Sequence, residues 1–181
     1  MYGYKTNYRE ATKKKKHIAA FLLVLVLFMG MSTPAYAVKA QYATTASFLE
    51  ALSEDGVKYN YKGVDQDDEE EVTVSYAGDY MDSIRAVIFF DEELDSVSMR
   101  IWDVIAFDED DYFDVLKTVN SLNYKYKYAY FVVDEEDWTV YATIDVPLRD
   151  CDEAGEIAYD ALYYLVEICD RGYDELKEFE L

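Results

Sequence analysis

The chain's one histidine, His17, precedes everything that reads as a folded domain, so residues 38–181 contain none. Nucleophile–imidazole pairs and histidine-bearing zinc sites need that ring as proton carrier or ligand, and both chemistries are excluded for the domain as written. Seven glycines are scattered along the chain, and none forms the spaced cluster that lets backbone N–H groups approach a phosphate. Carboxylates remain. Asp110 and Asp114 would share one helix face and could in principle work as acid and base, but with 38 Asp and Glu such pairs arise from composition alone. No catalytic residue, metal ligand or cofactor site is assigned, and the chain reads as a non-enzyme. Two acidic runs, residues 65–71 (DQDDEEE) and 134–137, offer the hard oxygens that calcium takes. The first lacks the glycine and distal glutamate of an EF-hand loop, so it reads as a solvated charge run, with a calcium-binding cell-surface domain as the alternative.

Two cysteines, Cys151 and Cys169, bracket what reads as one helix. Eighteen residues at 1.5 Å of rise place their Cα atoms about 27 Å apart, against about 7 Å for a bridged pair. They are not expected to pair with each other. Cys169 falls on the apolar stripe as a small buried hydrophobe, and Cys151 is the candidate for a free or intermolecular thiol.

Binding offers another kind of candidate. The stretch NYKYKYAYFVVD at 123–134 repeats tyrosine at Tyr124, Tyr126, Tyr128 and Tyr130, which is the period of a strand. A turn at Glu135 and Glu136 would set Val133 against Trp138, Phe131 against Val140 and Ala129 against Ala142 on an apolar face. The other face then pairs Tyr130 with Tyr141, Tyr128 with Thr143 and Tyr126 with Asp145. A preceding hairpin, turning at 91–95, groups Ile84, Ala86, Ile88, Val97, Met99 and Ile101 as core, with Arg85, Val87, Phe89, Ser98, Arg100 and Trp102 behind them. Aromatic residues and arginine are the types enriched at protein interfaces. The candidate partner-binding set is therefore Tyr126, Tyr128, Tyr130, Tyr141, Trp102, Phe89 and Arg100, on a sheet face that is either open to a partner or second copy, or partly covered by the terminal segment.

The elements that must position these residues follow from periodicity. Ser47 and Glu50 form a capping-box pattern for a short amphipathic helix over 44–55, ended by Gly56. Residues 57–62 and 72–77 read as strands with the acidic run looping between them. Asp108 to Asp111 begin a second helix, where negative charge suits the backbone dipole, and Tyr112, Leu116, Val119 and Leu122 continue it. Asp150 and Glu153 begin a third, with Ala154, Ile157, Ala158, Ala161, Leu165 and Ile168 on one stripe, Gly172 as its stop and a short terminal helix beyond. This order implies an α+β fold: an antiparallel sheet of five to six strands with helices packed on one face.

Residues 1–37 differ in kind. A basic start with Lys13 to Lys16, an apolar run from 18 to 31 and a small-x-small ending at Ala35 and Ala37 match a secretory signal peptide cleaved after Ala37. The run is shorter than the ~20 residues that span a bilayer, so a retained N-terminal anchor is the lesser alternative and the only route to a membrane. Residues 38–45 read as a tether and 46–181 as the domain. Removing 6 basic and 1 acidic residue leaves 11 against 37, a charge near −26 on the remaining 144 residues. Such a charge repels nucleic acid and acidic membrane surfaces and leaves cations and basic proteins as partners. The expected location is outside a bacterial cell or on its surface.

The run VSYAGD at 74–79, the helix ending VNSLN at 119–123, and the hairpin containing Asp134, Trp138 and IDVPL at 144–148 resemble the YbjN family of bacterial sensory transduction regulators. The match covers roughly residues 47–169. The resemblance implies a type III secretion chaperone-like fold and a non-enzymatic role in binding a protein or peptide. It supplies no catalytic residue. Asn120 and Asn123 match its most recognisable motif, where satisfying backbone groups at the helix end or next strand is the simplest task. The export signal departs from the many members that look cytoplasmic.

Overall fold

The structure is a computed structural model that describes residues 39–91, 95–148 and 153–181. The expected signal peptide at residues 1–37, Cys151, Asp150 and most of the 91–95 turn lie outside the described residues. In chain order come α1 (Ala43–Glu54), β1 (Tyr59–Val64), β2 (Glu69–Tyr76), β3 (Ile84–Asp91), β4 (Ser96–Ala106), α2 (Tyr112–Lys125), β5 (Tyr130–Asp134), β6 (Thr139–Pro147) and α3 (Ala154–Leu176), with 3-10 turns at Glu109–Asp111 and Lys177–Phe179. The six strands form one antiparallel sheet in the order β1-β2-β3-β4-β6-β5. The α+β architecture is thus the one the periodicity implies.

One sheet face is apolar and packed. Val72, Val74, Ile84, Ala86, Ile88, Phe90, Val97, Met99, Ile101, Phe131, Val140 and Ala142 are all essentially inaccessible and join one core with residues of the three helices. Phe48 of α1 meets Phe90 at 5.2 Å between ring centres. The helices approach closely where side chains are smallest: a Cβ on Gly155 of α3 would lie 2.3 Å from Ser47 Oγ, and one on Gly172 would lie 2.2 Å from the Phe131 ring.

Several expected boundaries shift, each for a visible reason. Gly172 does not stop α3, which runs four residues further; the missing side chain is what lets the helix pass Phe131. Ser47 caps nothing, because α1 already starts at Ala43, inside the expected tether, and Tyr42 at its N-cap has no side-chain cap. That end is held from the sheet. Glu70 is wholly buried and accepts hydrogen bonds from the N–H groups of Gln41 at 2.6 Å and Tyr42 at 3.2 Å, and from the Tyr61 hydroxyl. The acidic run is therefore not one solvated loop. Its last three residues open β2, with Glu71 held 2.6 Å from Lys62 on β1; only residues 65–68 loop, closed by Asp65 Oδ1 accepting from the N–H groups of Asp67 and Glu69. Alternation puts neighbouring carboxylates on opposite faces, which removes most of their mutual repulsion.

Candidate functional site

The tyrosine row does not exist as a strand face. Helix α2 continues through Lys125, which places Tyr124 on a helix, and Tyr126 caps it in an extended conformation. Only Tyr130 of the four lies in β5. Tyr126 packs half-buried against the core, with Lys125 Nζ 5.0 Å from its ring centre. Tyr128 stacks on Tyr164 of α3, ring centres 4.9 Å apart and planes 27° from parallel. Both tyrosines belong to the helical side of the molecule. They leave the expected partner surface because α2 runs two residues past the expected end at Asn123 and β5 begins only at Tyr130.

The remaining candidates do gather on the helix-free face. The β5–β6 register is two residues away from the expected one, with Val133 opposite Val140, Val132 opposite Tyr141 and Tyr130 opposite Thr143. A shift of two changes partners and preserves faces, so Tyr130 and Tyr141 stay on the side predicted for them. The β3–β4 pairing sets Ile88 against Met99 and Phe90 against Val97, which preserves the expected grouping by face and keeps Phe89 and Arg100 there too. Phe89, Arg100 and Tyr141 are half-buried, while Tyr130 is exposed. Arg100 Nη1 donates to Asp145 Oδ1 at 2.9 Å and to the Met99 carbonyl at 3.0 Å. Thr143 lies in register between Arg100 and Tyr130. It is 8% exposed, and its hydroxyl has no hydrogen-bond partner among the described residues.

Sequence reasoning found Trp102 but missed how it is displayed. β4 pairs with β6 at Ile101–Ala142 and resumes at Ile105–Val140, so Trp102, Asp103 and Val104 lie opposite the single residue Tyr141. Asp103 turns this bulge with φ of 51°, a left-handed conformation uncommon outside glycine and best tolerated by Asn and Asp. Val104 points inward and is buried, whereas Trp102 stays 49% exposed, 5.0 Å from the Tyr141 ring and tilted 44° to it. Bulges re-aim side chains and gather near functional sites. The adjacent buried pair Val104 and Ile105, which breaks strict alternation, was the available signal.

Asn123 and Asn120 separate. Asn123 Oδ1 accepts from the Phe131 N–H at 2.8 Å and its Nδ2 donates to the Phe131 carbonyl at 2.9 Å, tying the end of α2 to β5. Asn120 is exposed. A second buried carboxylate went unrecognised: Asp170 of α3 is 7% exposed and accepts from the N–H groups of Asp79, Tyr80 and Met81 at 2.8 to 3.0 Å, shaping the β2–β3 loop. Cys169 beside it is buried and free, with burial first and then Asp170 pushing its thiol pKa up. A shallow polar cleft lies between this loop, the end of α2 and α3, lined by Asp79, Tyr80, Lys125, Tyr126, Arg171 and Glu175. Among the described residues no three His, Cys, Asp or Glu side chains converge as a metal site, and no helix is long and apolar enough to cross a membrane. The calcium-ligand candidates at 65–71 are dispersed, because Glu70 faces the core side and Glu71 faces Lys62.

Comparison of the chain with family models, with curated proteins and with solved structures finds no match.

Proposed function

We propose that this chain is an exported, non-catalytic domain of YbjN type that holds a protein or peptide on the helix-free face of its sheet. The observation that carries the reading is Trp102: a half-exposed indole lifted on a backbone bulge, backed by Tyr141, on a face the helices leave bare. Phe89, Tyr130 and Arg100 share that face and add the mixture of aromatic area and hydrogen-bonding groups that protein interfaces use.

The test is capture of a partner from the secreted fraction by tagged protein. Changing Trp102 and Tyr141 together to Ala is expected to lose the partner, whereas Tyr128→Ala, on the opposite side, is expected to retain it. Capture unaffected by the double change removes the proposed surface.

A further inference from the structure

We propose that the β4 bulge receives a basic side chain, lysine or arginine, from the partner; the inference rests on the reading of the helix-free face as a partner surface. The molecule already shows how it holds a cation. Lys125 Nζ lies 5.0 Å from the Tyr126 ring centre and 2.6 Å from Glu175, and Lys177 Nζ lies 5.7 Å from the Tyr80 ring centre and 2.5 Å from Asp174. Each is a three-part unit: an aromatic face, an ammonium over it, and a carboxylate that keeps the ammonium there.

At the bulge an aromatic face and a carboxylate follow one another in the chain, Trp102 and Asp103. Trp102 supplies the aromatic face that attracts cations most strongly, supported from behind by Tyr141. Asp103, the next residue, is exposed, and its carboxylate has neither hydrogen bond nor ion pair among the described residues. The described cations nearest in the sheet are committed or uninvolved: Arg100 is bound to Asp145 and Met99, and no cation lies over Trp102 or Tyr141 among the described residues. The third part therefore has to come from outside. The charge near −26 on residues 38–181 favours a basic partner over a second copy, since two such copies repel.

The test uses the full chain and a fluorescent hexalysine peptide, followed by anisotropy. Saturable binding is expected, weakened about tenfold by Trp102→Leu and by Asp103→Asn and partly restored in Trp102→Phe, the size of a loss of about 1.4 kcal/mol. Glu50→Gln, which removes an equal charge from α1, is expected to leave affinity unchanged, and thermal melts of each variant confirm folding. No saturable binding, or equal weakening by Glu50→Gln, overturns the proposal. So does equal binding of the same peptide with its lysines acetylated; if that binding still needs Trp102, the face remains a peptide surface and only the cation is lost. Partner capture that ignores Trp102 and Tyr141 defeats the surface reading instead.

Discussion

The two faces of one sheet are built from the same strands and finished differently. On the covered face the side chains, Glu70 apart, are mostly aliphatic or phenyl, nearly all inaccessible, and locked to three helices at glycine-sized distances. On the bare face, Val87 and Thr73 are nearly as shielded, at 8% and 9% exposure, with none of the three described helices above them. Their long neighbours do the shielding, among them Arg100, Glu71 and Phe89, paired across the strands. The difference teaches that absence of a covering layer need not leave an apolar hole. It leaves a laterally buttressed surface from which the indole at the bulge and the Tyr130 ring project.

The sharpest way to break the comparison is to empty the covered face. Phe131→Ala is expected to lower stability by about 3–5 kcal/mol, read by urea unfolding, because a large buried ring is lost beside a glycine that cannot fill the space. Next comes the carboxylate beneath α1. Glu70→Ala strips the Gln41 and Tyr42 N–H groups and the Tyr61 hydroxyl of their acceptor, and about 1–3 kcal/mol is the expected loss, with hydrogen exchange rising first at the start of α1. On the bare face Trp102→Ala is expected to cost no more than about 0.5–1.5 kcal/mol, the scale of an aromatic pair, while abolishing partner capture. A loss as large as that of Phe131→Ala would mean that the two faces are not different in kind.

The smallest effect is a pH dependence on the bare side. Burial first, then Asp65, Asp91 and Asp67, hold the Glu69 carboxyl above its ordinary value. A carboxyl raised in the folded state binds its proton more tightly there than in the unfolded chain. Stability therefore falls as pH rises through the window just above the ordinary glutamate range. Glu69→Gln is expected to flatten that slope in melting curves taken across the window and to be slightly stabilising above it.

Much of the fold was legible because period-two alternation survives errors of register. The second hairpin slipped by two residues, yet Phe131, Val140 and Ala142 stayed inside and Tyr130 and Tyr141 outside. The tyrosine row misled because Tyr124 and Tyr126 also suit the last turn of a helix, and only packing of Val119 and Leu122 against the core decides between the two. Glu70 was hidden by its charge. Its burial depends on donors 28 and 29 residues upstream, which no local pattern announces. The bulge at Trp102 was equally non-local, since it is defined by what β6 does opposite.

Asn123 has a consequence for assembly. Its carboxamide presents one donor and one acceptor to Phe131, as a peptide unit of a neighbouring strand would, and so it stands in for a seventh strand at the β5 margin. The far margin, β1, breaks its ladder at an irregularity between Tyr61 and Gly63. Both margins thus carry a device of the kind by which sheets discourage edge-to-edge joining of their ladders.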